Sequence, residues 1–202
     1  MNVFKATVGI PKNVKSLAAE SVYSAWKIFI NEKILRTIHK FTVIEGQKND
    51  ESWTFSMDQL EAFIGILYAR GVYGKSHSPA FLWNKLYGPK IFHETMSREE
   101  YKTIQRYLRF DDKEARRGRI GMDKFAHIRE VFEEFVNNCT NSYTPNYSLT
   151  IDEQLLPMKN RCPFIVFMPN KPDKFGIKFW VLAEVENKYI VNVIPYLGAQ
   201  EK

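Results

Sequence analysis

The chain is poor in cysteine and lacks long apolar runs, internal repeats and low-complexity tracts. Only Cys139 and Cys162 occur among its 202 residues, so neither a disulfide framework nor a four-cysteine zinc site can be built within one chain. No uncharged apolar run reaches the roughly 18 residues of a membrane-spanning helix, and the amino terminus lacks the pattern of a secretory signal peptide. The sequence therefore predicts a soluble, intracellular protein with two reduced thiols and no membrane partner.

Apolar surface and positive charge are both present in quantity. Hydrophobic residues make up 45% of the chain and aromatic residues 14%, which is enough to bury a core in one or two domains. Lys and Arg number 29 against 23 Asp and Glu, for a formal net charge of +6. This excess permits an anionic partner such as nucleic acid but does not identify one, because many basic proteins bind none.

The first two thirds of the chain carry apolar residues at helical spacing. Capping boxes, in which a Ser is followed three positions later by Glu or Gln, mark two helix starts, Ser56 with Gln59 and Ser97 with Glu100. The periodicity predicts helices over about residues 17–38, 57–71, 79–82, 98–110 and 124–142. The segment DDKEARRGRIG between the last two is charged and contains two glycines, so it predicts an exposed loop.

Past Pro145 the pattern changes from helices to strands. The runs SLTID, IKFWVLAEVE and YIVNVIP are short and rich in β-branched and aromatic residues. Glu186, Asn187 and Lys188 separate the last two runs and favour a turn, which predicts an antiparallel hairpin over about residues 177–195. The predicted fold class is α+β, an all-helical amino-terminal part followed by three antiparallel strands.

Four ordered motifs in the second half stand out: TIDEQL at 150–155, RCPF at 161–164, MPNKPDKFGIKFW at 168–180 and PYLG at 195–198. Together they resemble the opening of the catalytic domain of piggyBac transposases and of the domesticated proteins derived from them. Upstream, the segments at 96–113 and 123–139 resemble the same family. The resemblance covers roughly residues 50–198, and the first 50 residues match only loosely.

This resemblance implies a ribonuclease-H-like catalytic domain in which three separated acids hold two Mg²⁺ ions for DNA hairpin formation and strand transfer at TTAA sites. In such two-metal chemistry one ion activates the attacking hydroxyl and the other stabilises the leaving oxygen. By its place in the TIDEQL motif, Asp152 matches the first catalytic acid and metal ligand. Glu153 is a weaker candidate, because neighbouring strand residues point to opposite faces of a sheet.

The resemblance also implies that the second and third acids follow the PYLG motif, whereas this sequence stops at Lys202. Asp173, Glu184 and Glu186 match no family acid by motif. A single carboxylate cannot hold two Mg²⁺ ions. We therefore expect Asp152 to be vestigial, the metal site to be incomplete, and the chain alone to bind no cofactor and to have no enzymatic activity, although the parent family uses Mg²⁺.

The predicted domains follow from the same comparison. Residues 1–50 form a loosely matching segment with one helix, and residues 51–146 a helical domain of the dimerisation or DNA-binding type. Residues 147–202 form the truncated start of the ribonuclease-H-like domain, in which the missing strands leave a sheet edge uncovered. An uncovered edge invites pairing with a partner or aggregation.

Basic residues near these motifs are candidates for contact with DNA phosphates, which would give affinity that is independent of sequence and falls with salt. Three lie in the charged segment after Asp112, and five flank the Asp152 strand. They are Arg116, Arg117, Arg119, Lys159, Arg161, Lys171, Lys174 and Lys178.

Three functions remain open from the sequence. The chain could be a transposase-derived fragment that binds DNA or forms a homodimer, or associates with a transposase-like protein, without catalysis. It could be the incomplete gene model of a full cut-and-paste DNA transposase. It could also be a protein-interaction module domesticated from a transposase. The resemblance implies a nuclear location in each case.

Overall fold

The computed structural model describes residues 7–74, 77–119 and 121–198, which contain nine helices and four strands. The helices are α1 (Lys12–Glu20), α2 (Val22–Phe29), α3 (Glu32–Gln47), α4 (Met57–Tyr73), α5 (Pro79–Leu82), α6 (Lys90–Thr95), α7 (Arg98–Tyr107), α8 (Lys113–Arg116) and α9 (Arg129–Ser142). The strands are β1 (Leu149–Pro157), β2 (Ile165–Phe167), β3 (Phe175–Glu184) and β4 (Ile190–Pro195).

The chain divides into two compact units, one formed by Lys33–Asp112 and the other by Met1–Glu32 with Lys113–Lys202. The first unit is helical, and the second combines helices with the sheet. A helical region followed by an antiparallel sheet was the predicted fold class, and it is confirmed. The domain boundaries drawn from the sequence stay predictions.

The helical unit Lys33–Asp112 is built around aromatic side chains. Phe63 of α4 and Tyr101 of α7 stack with ring centroids 5.4 Å apart, and both are almost completely buried. The indole of Trp83 packs against Tyr101 and donates a 2.9 Å hydrogen bond to the carbonyl of Met96. Arg70 donates to the Tyr101 hydroxyl at 2.6 Å, so the polar end of this buried ring has a partner.

The sheet of the second unit is antiparallel throughout, with β3 at its centre. β1 pairs with one edge of β3 over nine residues, from Leu149 opposite Glu184 to Pro157 opposite Gly176. β2 and β4 follow each other along the other edge. Phe132 of α9 stacks on Phe179 of β3 at 5.7 Å, so α9 covers one face of the sheet.

The predicted helix over residues 17–38 was wrong, because the structure has three helices there. Ser21 has extended backbone and its hydroxyl accepts the N–H of Ser24, which ends α1 and starts α2. Asn138 of α9 donates to the carbonyl of Phe29 at the end of α2, and Asn31 donates to Glu134. These contacts come from residues more than 100 positions away, which helical periodicity cannot detect.

Two predicted boundaries in the middle of the chain also need correction. The charged segment is not only a loop, since it contains the single helical turn of α8. The long helix begins at Arg129 and not at Lys124, because the Asp123 carboxylate accepts the N–H of Phe125 and binds the Arg129 guanidinium. A side chain that captures nearby backbone in this way competes with helix formation.

The described sheet has four strands where three were predicted. The additional strand, β2, has only three residues, and no alternation can be recognised in a run of that length. The predicted hairpin is confirmed as β3 and β4, and Lys188 adopts a positive φ of 63° in its turn. None of the described helices combines the length and the apolar character needed to cross a membrane.

Candidate functional site

Asp152 lies in the middle of β1, opposite Val181 of β3, and is exposed to solvent. Its Oδ1 accepts the backbone N–H of the next residue, Glu153, at 2.7 Å. The carboxylate is therefore held at the surface of the sheet by its own strand. An exposed acid in this position is accessible to a cation or to a polar partner.

Glu153 points to the opposite face of β1 and has a partner there. Its Oε2 lies 2.7 Å from the Nζ of Lys178 on β3. The same ammonium group lies 4.2 Å from the ring centroid of Trp180, a cation–π distance. Glu153 and Lys178 thus neutralise each other, and Glu153 does not share a site with Asp152.

The other three acids considered from the sequence lie elsewhere. Glu184, at the end of β3, is 2% exposed, and its contact with the Tyr143 hydroxyl raises the pKa of Tyr143. Asp173 is exposed in the connection before β3, and Glu186 is exposed in the hairpin turn. Asp173 lines a surface depression with Glu153, Gln154 and Leu155 of β1, and no group of three potential metal ligands forms around Asp152 in the described part of the chain.

The donor set in the described part of the chain does not fit a pair of Mg²⁺ ions. Within residues 7–74, 77–119 and 121–198, no three His, Cys, Asp or Glu residues are grouped closely enough to hold a metal ion. Mg²⁺ sites in phosphoryl-transfer enzymes use several carboxylates together with substrate phosphates in near-octahedral geometry. Asp152 supplies one carboxylate, and the described residues do not group two further potential metal ligands around it.

The basic residues that flank β1 gather at one end of the sheet. Met158 donates its N–H to the carbonyl of Phe175 at 3.1 Å, so the next residues outward, Lys159 and Lys174, lie at the same end. Arg161 follows in the connection from β1 to β2. All three side chains are exposed, and none of them has an ion pair with another described residue. We call Lys159, Arg161 and Lys174 the sheet-end cluster.

The remaining two candidates beside the sheet are less available. Lys171 is half-buried in the connection from β2 to β3, where its N–H donates to the Met168 carbonyl at 3.2 Å. The Lys178 side chain is 17% exposed and is ion-paired with Glu153. Contact of either lysine with DNA stays a prediction.

The arginine segment forms a separate basic group, at and after the end of α8. Arg117 has 84% of its side chain accessible and forms a 3.8 Å ion pair with Glu114. Arg116 and Arg119 also have partners in the protein. The segment is anchored downstream, where the Arg129 guanidinium holds the pKa of Asp123 below its usual range.

A family model described as transposase IS4 matches residues 22–202. The chain belongs to this transposase family. It is 32% identical, with a TM-score of 0.88, to a chain in the cryo-EM structure of a piggyBac transposase synaptic complex with hairpin DNA. That match covers 96% of this chain and 41% of the other.

Two human proteins are also similar to this piggyBac-type chain. PiggyBac transposable element-derived protein 3 and the chimeric ERCC6-PGBD3 protein are each 23% identical over 175 residues, or 85% of this chain. The aligned part is 28% of the first protein and 16% of the second. The chain thus spans less than a third of the length of these relatives.

Within this family, a divalent metal ion is generally used for catalysis. The motif that identified Asp152 also located it correctly on a strand, because the run around it is rich in β-branched residues. The Lys178–Glu153 pair was missed from the sequence. The two residues have opposite charges and lie on predicted strands. The register that brings these strands together, however, is not determined by the local sequence.

Proposed function

We propose that this chain is a piggyBac-type, transposase-derived protein that contacts DNA and does not catalyse transposition on its own. The observation that carries this proposal is the sheet-end cluster, in which Lys159, Arg161 and Lys174 are exposed without ion-pair partners among the described residues. Cations that are not neutralised by the protein are available to replace the counterions of DNA phosphates.

The similar solved structure supports DNA as the anionic partner. That structure is a transposase complex with hairpin DNA, and it covers nearly all of this chain at 32% identity. The arginines at and after the end of α8 would extend the contact, and the Arg117 side chain is 84% exposed. Such contacts position a protein on a duplex without reading its sequence. A nuclear location and a homodimeric state are part of the same proposal.

The absence of catalysis is proposed from the donor set. Asp152 is a single exposed carboxylate, Glu153 lies on the other face and is held by Lys178, and Glu184 is buried. Two-metal phosphoryl transfer needs carboxylates that converge on the same pair of ions. Incubation with Mg²⁺ and DNA that carries transposon ends should give no cleavage or joining. Activity that disappears in Asp152→Asn would show instead that this chain contributes to a working catalyst.

Salt dependence of DNA binding tests the main proposal. We expect the wild-type protein to bind a short duplex with an affinity that falls steeply with salt, measured by fluorescence anisotropy. The triple variant K159A/R161A/K174A should flatten the slope of log affinity against log salt by roughly two to three. The variant R116A/R117A/R119A tests in the same way whether the arginine segment contributes to the salt dependence of DNA binding.

A matched control removes the same charge elsewhere. K12A/K15A/K90A replaces three exposed lysines outside both basic groups, so it lowers the net charge equally without changing the proposed contacts. If the slope of log affinity against log salt falls equally in this control, the net charge of the protein and not the sheet-end cluster determines DNA binding. No detectable binding of the wild type at low salt would contradict the DNA proposal and favour a protein-interaction module.

A further inference from the structure

The helical unit Lys33–Asp112 has a surface cavity of about 440 Å³ with aromatic and acidic walls. A volume of this size lies in the range of binding sites for small molecules and side chains. None of the basic residues proposed to contact DNA belongs to this unit. The rings and carboxyl groups that line the cavity belong to Trp53, Phe55, Tyr107, Asp50 and Glu100.

The aromatic wall of the cavity is a corner between two rings. Trp53 and Tyr107 are both half-buried, with ring centroids 5.2 Å apart and ring planes at 75°. Phe55 stacks on Trp53 at 5.3 Å and is only 6% exposed, so it supports the indole from within. A cation in such a corner can lie against aromatic faces on two sides, where the negative face of each ring attracts it.

The corner is held in place by the protein itself. The indole of Trp53 packs against Gly46 of α3, where a Cβ would overlap it. The Trp53 N–H donates to the Asp50 carbonyl at 3.0 Å, and the Phe55 carbonyl lies 2.7 Å from Nε2 of His39. A ligand therefore meets rings that are already ordered, and binding does not have to supply the entropy of ordering them.

The two carboxyl groups of the cavity are not neutralised by cations of the protein. Oδ1 of Asp50 accepts the N–H and the hydroxyl of Ser52 at 3.0 and 2.6 Å, and Oε1 of Glu100 accepts the Gln59 amide at 2.9 Å. These donors are uncharged, and neither acid has an ion pair with another described residue. The cavity thus keeps two negative charges in a chain whose formal net charge is +6.

An organic cation fits these walls better than a metal ion does. No described residue joins Asp50 and Glu100 as a third potential metal ligand, and aromatic rings suit a weakly hydrated cation such as a methylated ammonium group. We propose that this cavity binds the methylated ammonium group of a modified lysine side chain in a partner protein. An unmodified ammonium group is more strongly hydrated and loses more on leaving water. Phosphocholine has a similar cation, but the two carboxylates repel its phosphate.

A nuclear magnetic resonance titration of the full chain tests this proposal. Capped trimethyl-lysine should shift the indole N–H signal of Trp53 and leave those of Trp26, Trp83 and Trp180 in place. The neutral isostere, in which carbon replaces the charged nitrogen, should bind about tenfold more weakly. Unmodified lysine and phosphocholine should also bind more weakly than trimethyl-lysine.

Three results of this titration would overturn the proposal. A Trp53 signal that does not move would show that the cavity does not take the cation. Equal binding of the neutral isostere would show that charge plays no part. Equal or tighter binding of phosphocholine or of unmodified lysine would rule out a methylated lysine as the preferred ligand.

Removal of the two negative charges tests the acidic wall. D50N/E100Q should weaken binding of trimethyl-lysine by at least about threefold, and both new side chains keep an oxygen for the hydrogen bonds described above. The matched control E94Q/E99Q removes two exposed carboxylates of the same unit that do not line the cavity. The melting temperature establishes that both variants fold. An equal loss of affinity in the control would assign the effect to net charge and refute the acidic wall.

Discussion

Lys178 on β3 and Glu153 on β1 form an ion pair across the sheet, with 2.7 Å between Nζ and Oε2. From the sequence, Lys178 is a candidate DNA contact, and Glu153 is only a weak candidate for a metal-binding acid because it points to the face opposite Asp152. The two side chains are only 17% and 30% exposed, and Lys178 also lies over Trp180. The pair therefore contributes to the stability of the sheet, and Asp152 is left as the single acid on its face of β1.

A double-mutant cycle should measure this contribution. With Lys178→Met and Glu153→Gln, we expect a coupling energy of about 1 kcal/mol in urea unfolding, because the pair is partly buried and well aligned. The control cycle uses Glu99 and Lys102, which are 2.9 Å apart but 72% and 46% exposed. Exposed pairs on a helix surface contribute little to stability, so equal coupling in both cycles would contradict a special role for the sheet pair.

The capping box at the start of α4 gives a second prediction. The Ser56 hydroxyl accepts the N–H of Gln59 at 3.1 Å, and the Gln59 side chain accepts the N–H of Ser56 at 2.7 Å. Ser56→Ala should lower the free energy of unfolding by about 1 kcal/mol, measured by chemical denaturation. Ser16→Ala, in the exposed interior of α1, should be neutral or slightly stabilising. A similar loss in both variants would assign the effect to something other than the cap.

Tyr189 gives a prediction for alkaline pH. Burial raises the pKa of its hydroxyl to about 12 from an ordinary value of 10, and the hydroxyl donates to the Cys139 carbonyl at 2.7 Å. A group with a raised folded-state pKa stabilises the protein fully below its unfolded pKa, and this stabilisation is lost as the pH rises toward the folded value. The wild type should therefore lose stability between about pH 10 and pH 12.

The comparison with Tyr189→Phe isolates this effect. Below pH 10 the variant should be about 1 kcal/mol less stable, because the Cys139 carbonyl loses its donor. The difference in the free energy of unfolding between the wild type and Tyr189→Phe should narrow toward pH 12. Urea unfolding across the pH range measures this difference. Tyr147→Phe, at a position that is 87% exposed, controls for the loss of a tyrosine. If the difference in the free energy of unfolding stays constant up to pH 12, ionisation of Tyr189 does not control stability in this pH range.

The parts of the fold that could be predicted are those determined by nearby residues. The capping Ser56, the N-cap Ser97 and the Ser78–Pro79 start all lie where the sequence placed them, because a cap uses bonds within four residues. The breaks between α1, α2 and α3 could not be predicted in full. The carbonyl of Phe29 is bound by Asn138, and that contact depends on the packing of α9.

In the candidate site, too, some features follow from nearby residues and others depend on contacts between distant parts of the chain. The family motif placed Asp152 on a strand, and the alternation of strand residues correctly separated it from Glu153. The gathering of Lys159 with Lys174 depends on the pairing register of β1 and β3, which a single sequence does not reveal. The salt titration of K159A/R161A/K174A tests their proposed contact with DNA.

The last prediction compares two helical glycines. Gly46 in α3 is buried against Trp53, and a Cβ built on Gly46 would overlap the indole ring. The ring has little room to move, since it stacks on Phe55 with centroids 5.3 Å apart and meets the edge of Tyr107 at 5.2 Å. Gly46→Ala should therefore lower the free energy of unfolding by roughly 1–3 kcal/mol, the usual cost of overpacking.

Gly65 in α4 is the matched control, because a Cβ there would meet nothing within 4 Å. Gly65→Ala should raise the free energy of unfolding by up to about 1 kcal/mol, since alanine loses less conformational entropy than glycine in a helix. Both changes add one methyl group to a helix. Opposite signs of the change in the free energy of unfolding would therefore reflect the different space around each glycine. If Gly46→Ala were as stable as Gly65→Ala, the close contact of Trp53 with α3 would be refuted.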